Sequence, residues 1–365
     1  MVARQAESDS VVRENIPALT AARGLAAWWV VLFHFDGYFP SSLSFLVPFA
    51  RYGYLAVDFF FVLSGFIIAH NYLHLFERPT RAGFGHFLGV RLARIYPLHI
   101  FILFLYLINP IAIMLFATGP LDMQRYDPAY FLMSIVLIQN WGLTDQLAWN
   151  VPAWSISTEW LAYLFFPLMT MTVHRVIIRP WHALLGVVMA LGLLAGWLGY
   201  HGSDLGGDIP FTGAPRCLTE FFAGICVYRC WTAWRHSRTA HWIATAVAVL
   251  CVGIFVAFDV HDYLVIPLAW ACLVFGLGHS ASPLSWLLSG AVLEAVGLYS
   301  YSTYMAHYLI RDWVKFLLVR PAVPREIAFA TFILCTAIAS VVLYHLIEKT
   351  QRRTFRTLLA KYAAR

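Results

Sequence analysis

Charged residues are scarce in this 365-residue sequence: Asp, Glu, Lys and Arg make up 12% of it, while 61% is hydrophobic. A soluble domain carries about 25% charged residues, so this scarcity excludes an ordinary soluble globular protein. The net charge is +6. In a membrane protein such an excess belongs to the cytoplasmic loops, so it indicates no nucleic-acid partner. The composition predicts an all-α, polytopic membrane protein surrounded by membrane lipids.

Cysteine is also sparse, and the six cysteines lie in apolar segments. Cys226 and Cys230 share one face of a predicted helix, but no histidine or second cysteine pair completes a zinc set. We therefore expect buried, apolar cysteines and no metal site. Residues 1–20 are polar and mixed in charge and lack the order of a secretory signal peptide, which predicts a short cytoplasmic N-terminal tail.

Ten apolar runs are long enough to cross a membrane as helices. They are 24–44, 52–75, 95–117, 153–173, 183–200, 214–231, 242–258, 263–279, 291–310 and 327–347. An eleventh run, 128–142, is shorter and suits either a spanning helix or a re-entrant or interfacial one. We predict about ten transmembrane helices plus one short re-entrant or interfacial helix. The transmembrane domain then covers 21–347, and 348–365 forms a basic cytoplasmic tail.

Basic residues favour one orientation of these helices. They occur in 76–94, 174–182, 229–241 and the C-terminal tail. Placing these segments and both termini in the cytoplasm satisfies the positive-inside tendency, requires an even number of spans, and leaves 128–142 uncounted. One segment, 311–326, contradicts the tendency because it falls outside and carries four basic residues. These are Arg311, Lys315, Arg320 and Arg325.

Three ionisable residues interrupt the apolar runs at similar predicted depths. His34 follows Arg23 by eleven positions, about 16 Å of helix, or half of a ~30 Å hydrocarbon core. Asp58 and Glu159 fall near the same layer, about 10 Å below the outer surface. Such groups cost at least about 2.5 kcal/mol each and usually face the bundle interior, where they serve function or join helices by hydrogen bonds. Asp36 lies where the first helix is predicted to end, which suits a solvated or capping role.

A histidine moves protons near neutral pH, and a carboxylate fixes its tautomer and stabilises the imidazolium. We therefore predict a catalytic group of His34, Asp58 and Glu159. Arg91 and Arg94, spaced i and i+3 on a helix, suit a phosphate group, although they also suit the cytoplasmic membrane boundary.

Six stretches in order resemble the acyltransferase-3 family of bacterial integral-membrane O-acyltransferases. They are RGLAAWWVVLFHF with Arg23 and His34, AVDFFFVLSGFIIA with Asp58, RLARIYP with Arg91 and Arg94, WSISTEWLAYLFFP with Glu159 and Tyr163, SYSTYMAHYLI with His307, and the terminal HLIEKTQRR. The resemblance covers about 20 to 353. The family usually has Gly before the Val-Asp pair, where this sequence has Ala56.

The resemblance implies transfer of an acyl group, most often acetyl from acetyl-CoA, to a hydroxyl group of a carbohydrate such as exopolysaccharide or O-antigen. His34 is then the general base, or a transient acyl carrier, and Asp58 and Glu159 orient or charge-balance it. Arg91 and Arg94 hold the nucleotide end of the acyl-CoA co-substrate, with no bound cofactor. Substrate contacts fall to Arg23, Tyr163 and His307. The implied location is the bacterial cytoplasmic (inner) membrane.

Two other functions remain open from the sequence. Buried Asp, Glu and His also suit a proton-coupled glycan or lipid transporter, although the inverted repeats common in transporters are not visible. Acylation of a small secondary metabolite such as a macrolide is the other. Neither the acceptor nor the acyl group follows from the sequence.

Overall fold

The computed structural model describes residues 16–116, 122, 124–279 and 282–351. Within these residues every regular element is helical, which confirms the all-α prediction. Most of the two predicted tails, 1–15 and 352–365, lies outside the described residues, and the predicted domain limits stay predictions.

Fourteen α-helices form the described part of the chain. They are α1 (Pro17–His34), α2 (Val47–Arg51), α3 (Ala56–Tyr72), α4 (Arg81–Leu105), α5 (Ile108–Phe116), α6 (Pro128–Ile135), α7 (Trp154–Val176), α8 (Pro180–His201), α9 (Ile209–Trp234), α10 (Arg238–Phe258), α11 (Asp262–Leu277), α12 (Pro283–Leu288), α13 (Ala291–Leu318) and α14 (Arg325–Leu343). Each of the ten with 16 or more residues overlaps one of the ten predicted apolar runs, although α1 begins seven residues before the run 24–44 and α4 fourteen residues before the run 95–117.

Local sequence sets several helix limits. The Thr80 side chain accepts a hydrogen bond from Gly83 N and caps α4, and Ser237 caps α10 in the same way. Such caps satisfy amide groups that have no partner within the helix. Gly202 follows the last residue of α8 and has a φ of +62°, the left-handed conformation that glycine adopts without steric cost.

In the part of the chain that the structure describes, five helical stretches are long and apolar enough to cross a membrane: Gly53–Phe76, Arg81–Phe116, Pro180–His201, Arg238–Phe258 and Arg325–Gln351. They differ in position within the bundle. The most apolar part of the first is 72% buried, whereas that of Arg238–Phe258 is 17% buried, so the first is central and the second peripheral. These stretches support a membrane protein, while the count of ten spans stays a prediction.

The long helices pack in defined directions. α3 and α9 run parallel, because Asp58 pairs with Arg216 near their starts and Phe66 contacts Tyr228 further along both. α13 and α14 run antiparallel, with contacts Tyr299–Tyr344 and Thr303–Ser340.

The segment 128–142 is mostly irregular. Its helix α6 has eight residues, about 12 Å, which is too short to cross a hydrocarbon core. Parts of the chain after α6 are buried among helices, where amide side chains bind carbonyl groups of those helices: Asn140 donates to Ile209 O and Asn150 donates to Met305 O. Irregular backbone is tolerated at membrane depth when it is buried in protein in this way.

Candidate active site

His34 and His307 form a direct pair. The Nδ1 atom of His34 lies 3.1 Å from Nε2 of His307 and 3.0 Å from the carbonyl oxygen of Val30. His307 Nδ1 lies 2.7 Å from the carbonyl oxygen of Tyr304, which only accepts hydrogen bonds, so His307 carries its proton on Nδ1. Its Nε2 is then an acceptor, and His34 donates to it from Nδ1. The Nε2 atom of His34 is left with a free lone pair, as a general base requires.

The two rings differ in access. His307 is fully buried, whereas His34 keeps part of its surface accessible. Within the described residues His34 Nε2 forms no hydrogen bond. The histidine pair therefore presents one reactive nitrogen to the space beside the last turn of α1. The sequence predicts His34 as the base and His307 as a substrate contact, but it does not predict that they touch.

Close packing of α1 and α13 brings the histidines together. A Cβ atom on Gly24 would lie 2.6 Å from the backbone nitrogen of Gly297, so only glycine fits there. Ten residues further along each helix His34 meets His307, which shows that α1 and α13 run parallel. Ten residues of helix span about 15 Å, the axial distance between the glycine contact and the histidine pair.

A cleft opens at the level of the glycine contact. Its volume is about 820 Å³ with its open mouth included. We call it the arginine cleft, after the polar residues of its lining that matter here. These are Arg23, Arg91, Arg94, Glu159 and Tyr163.

Two of the three arginines have protein partners. Arg23 donates to Ser300 Oγ at 2.9 Å and to the Gly297 carbonyl at 2.8 Å. Arg91 Nη2 donates to the Tyr72 hydroxyl at 2.8 Å. Arg94 forms no hydrogen bond or ion pair with any described residue, so its guanidinium is available to a ligand.

Glu159 is the acidic residue of the arginine cleft. Its Oε1 accepts hydrogen bonds from Ser64 and, at 2.6 Å, from the Tyr163 hydroxyl. The cleft thus has three guanidinium groups and one carboxylate among its lining residues, an excess of positive charge that suits an anionic ligand. Glu159 does not contact His34, so the structure does not bring these two predicted partners together.

The arginine cleft reaches toward the histidine pair. Tyr304 lines the cleft, and its hydroxyl group lies 2.8 Å from Ser155 Oγ, another lining residue. The backbone carbonyl of the same tyrosine holds His307 Nδ1. One residue of α13 therefore borders the cleft and also sets the tautomer of the histidine pair.

Asp58 lies apart from His34. Its Oδ1 accepts hydrogen bonds from Arg216 Nη2 at 2.7 Å and Nε at 3.2 Å, and both side chains are buried, 0% and 1% exposed. Glu220, one helical turn after Arg216, is also fully buried, and its carboxylate oxygens bind no described hydrogen-bond donor. The predicted grouping of Asp58 with His34 is not formed, because Asp58 faces α9 and finds its counter-charge there.

Sequence reasoning missed Arg216 and Glu220, although the same signal marks them. Both interrupt the apolar run 214–231 at i and i+4 spacing. Metal ligation finds no support in the described part of the chain, which holds no cluster of three or more His, Cys, Asp or Glu side chains.

Comparison with known proteins decides the family. The model of the acyltransferase-3 family, described as an acyltransferase domain, matches residues 16–346. The chain belongs to this family. The resemblance inferred from six short motifs is thereby confirmed over almost the whole described length.

Relatives of this family member include named O-acetyltransferases. The chain is 25% identical over 328 residues to the peptidoglycan O-acetyltransferase OatA of Listeria monocytogenes, covering 82% of the chain and 50% of that protein. It is 26% identical over 371 residues to the putative peptidoglycan O-acetyltransferase YrhL of Bacillus subtilis, covering 92% and 55%. A shorter match, 30% over 184 residues, is to the acyltransferase MdmB of Streptomyces mycarofaciens, covering 48% and 45%. The chain spans about half the length of these relatives, and no solved structure matches it.

Proposed function

We propose that the chain is an integral-membrane O-acetyltransferase that moves an acetyl group from acetyl-CoA to a hydroxyl group of a polysaccharide. One observation carries the proposal: a histidine with a free ring nitrogen lies about 15 Å along the same helices from a cleft with three guanidinium groups. Acyl-CoA has this division, with phosphate groups at one end and the reactive thioester at the other.

The arginine cleft holds the donor in this proposal. Arg94, which has no hydrogen-bond or ion-pair partner among the described residues, binds phosphate oxygens of acyl-CoA together with Arg91, because guanidinium groups form charge-assisted, often bidentate bonds with phosphate. Arg23 borders the same cleft and is fixed to α13 at the glycine contact. Glu159 and Tyr163, hydrogen-bonded to each other, orient the donor arm on its way toward Tyr304.

The histidine pair performs the chemistry. His34 Nε2 takes the proton of the acceptor hydroxyl group while that oxygen attacks the thioester carbonyl carbon. The carbon–sulfur bond then breaks, and the imidazolium returns the proton to the leaving thiolate. The products are an acetyl ester and free CoA. His307 accepts from His34 Nδ1 throughout and so keeps Nε2 aimed at the acceptor.

Ten membrane spans, with both termini in the cytoplasm of a bacterial inner membrane, complete the proposal. The helix directions support it. In a ten-span chain that leaves α6 uncounted, α1 and α13 are the first and ninth spans and run the same way, as α3 and α9 also do. Counting α6 as a span would make α1 and α13 antiparallel, whereas they are parallel.

The names of the relatives support the choice of acetyl and of a glycan acceptor, since two of them are peptidoglycan O-acetyltransferases or putative ones. A transporter is the alternative, and thioester turnover distinguishes the two. We would place purified protein in nanodiscs with labelled acetyl-CoA and bacterial envelope glycan, and measure free CoA and labelled ester.

His34→Ala is the deciding variant. We expect wild-type protein to release CoA and label the glycan, and His34→Ala to lose about 10²–10⁴-fold in rate, the usual contribution of a general base. His86→Ala, which removes an exposed histidine of α4, serves as the matched control and keeps full activity. Full transfer by correctly inserted His34→Ala protein would refute the assigned base, and an intact thioester with wild-type protein would refute the enzyme.

Donor binding tests the arginine cleft separately. Arg94→Gln removes a charge-assisted hydrogen bond, which is worth about 1.5–3 kcal/mol, and should weaken acetyl-CoA binding about 10- to 150-fold in calorimetry. Arg81→Gln, at the exposed start of the same helix, removes the same charge outside the cleft and should leave the affinity unchanged. Equal affinities of the two variants would overturn the donor assignment.

A further inference from the structure

A second pocket lies beyond the histidine pair, at the C-terminal part of α13. Its volume is about 550 Å³ with its open mouth included. We call it the cationic pocket. The residues of its lining that matter here are Asn109, Arg125, Tyr126, Asp312, Trp313 and Lys315.

The charges of the cationic pocket do not cancel. Asp312 pairs with both Arg125 and Arg311, so two guanidinium groups share one carboxylate. Lys315 adds a third cation, whose Nζ lies 4.1 Å from the centre of the Tyr38 ring. Within the described residues Lys315 forms no ion pair. The four side chains Arg125, Arg311, Lys315 and Asp312 together therefore hold two positive charges in excess.

The pocket also offers the groups that bind a sugar. Tyr126 and Trp313 supply aromatic surface. Asn109 is 6% exposed, and its Oδ1 accepts no hydrogen bond from any described residue, so it is a buried acceptor without a partner in the described chain. Unsatisfied buried polar atoms are costly and call for an explanation, and a hydroxyl group of a ligand supplies one.

The position of the pocket relates it to the histidine pair. Asp312 and Lys315 follow His307 on α13 by five and eight residues, about 8 and 12 Å of helix. Arg311 Cζ lies 3.6 Å from the centre of the Tyr308 ring, and this ring contacts the His34 ring at 5.1 Å. The arginine cleft lies on the other side of the pair, toward the start of α13. A molecule in the cationic pocket thus reaches the histidines from the end opposite to the donor.

A neighbouring cavity extends the positive surface. Tyr38, on which Lys315 rests, also lines a space of about 860 Å³ with its mouth included, together with Arg320 and Arg325. Arg320 and Arg325, like Arg311 and Lys315, belong to the basic residues of 311–326 that contradict the positive-inside tendency. Cations placed on the outer side of a membrane protein against that tendency need another reason, and binding an anion is one.

We infer that the cationic pocket binds an acidic sugar residue of the acceptor, one that carries a carboxylate or a phosphate group, with Lys315 and Arg125 facing the anion and Asn109 a hydroxyl group. The inference rests on the proposed transfer to a glycan and narrows its acceptor to an anionic polysaccharide. It also assigns Lys315 to acceptor selection rather than to the chemical step.

Three methyl galactosides that differ only at carbon 6 test the inference: the neutral sugar, its uronate and its 6-phosphate. We would measure their dissociation constants by saturation-transfer NMR on nanodisc protein without acetyl-CoA. We expect at least one anionic probe to bind about tenfold tighter than the neutral sugar. The tighter of the two identifies carboxylate or phosphate as the recognised group.

Variants locate the binding. Lys315→Ala should abolish the preference for the anionic probe and leave the neutral sugar unaffected, while Lys315→Arg keeps the charge and should retain the preference. Arg51→Ala is the matched control. Arg51 ends α2 and pairs at 3.4 Å with Asp36, two residues after the end of α1, and its replacement should also retain the preference for the anionic probe. Equal binding of all three probes by wild-type protein, or an unchanged preference in Lys315→Ala, overturns the inference. Because no thioester enters this measurement, its failure leaves the proposed transfer standing.

Discussion

Replacement of His307 by phenylalanine separates two possible roles of the histidine pair. The change keeps an aromatic ring in the buried position but removes the Nε2 acceptor 3.1 Å from His34 Nδ1. A neutral hydrogen bond contributes about 0.5–1.5 kcal/mol net, which corresponds to a two- to thirteen-fold change in rate. The Val30 carbonyl at 3.0 Å remains as a second acceptor for the same proton, so the tautomer of His34 survives.

We therefore expect His307→Phe to lower the turnover number about tenfold, far less than the 10²–10⁴-fold loss expected for His34→Ala. His307→Gln places an amide oxygen near the lost nitrogen and should recover most of the rate. The double variant His34→Ala, His307→Phe should be no slower than His34→Ala alone, because both changes act on one unit. Single-turnover release of CoA from nanodisc protein measures all four.

A loss in His307→Phe as large as that in His34→Ala, in protein with unchanged thermal unfolding, would refute this reasoning. It would mean that His307 itself exchanges protons with a substrate. No loss at all would show instead that the Val30 carbonyl alone fixes His34, and that the pair contributes only to packing.

Two further predictions concern the scaffold of the site. Gly24→Ala places a methyl group 2.6 Å from the backbone nitrogen of Gly297 in α13 and should lower both activity and thermal stability. Gly253→Ala, whose methyl group would meet nothing within 4 Å, should be tolerated. Equal behaviour of the two variants in a thermal-shift assay and a transfer assay would contradict the close contact. Arg216→Met leaves the buried Asp58 carboxylate unpaired and should destabilise the fold by about 3–5 kcal/mol in unfolding measurements. Glu220→Gln removes the second carboxyl group beside the single Arg216 guanidinium and should lower the free energy of unfolding much less than Arg216→Met does. A larger loss in Glu220→Gln would contradict this charge balance.

A charged residue within an apolar run is recognisable from the sequence, but its partners and the direction of its side chain around the helix are not. A charge within an apolar run predicts an inward-facing group, and on this basis His34, Asp58 and Glu159 were expected in one cluster. The structure places them in three separate surroundings, because the partners of a side chain depend on which helix packs beside it. The partners His307 and Arg216 lie 273 and 158 residues away in sequence from His34 and Asp58, beyond any local pattern.

The arginine cleft was the more predictable half of the site. Arg91 and Arg94 share a helix, so their i and i+3 spacing alone placed them together. Their common cleft with Glu159 is not expected from depth, because the sequence places Glu159 toward the outer surface and the two arginines at the cytoplasmic one. Local periodicity thus predicted the pair within one helix, and packing between helices decided its neighbours.

The pairing of α1 with α13 has a consequence for synthesis. His34, the proposed base, leaves the ribosome 273 residues before His307, the histidine that pairs with it. At about 5–20 residues per second, the nascent chain carries an unpaired His34 for about 14–55 s. Until α13 inserts beside α1, the arginine cleft also lacks the wall that Tyr301 and Tyr304 supply. Incomplete chains therefore lack both the histidine pair and the complete cleft of the proposed site, which form only when α13 packs against α1.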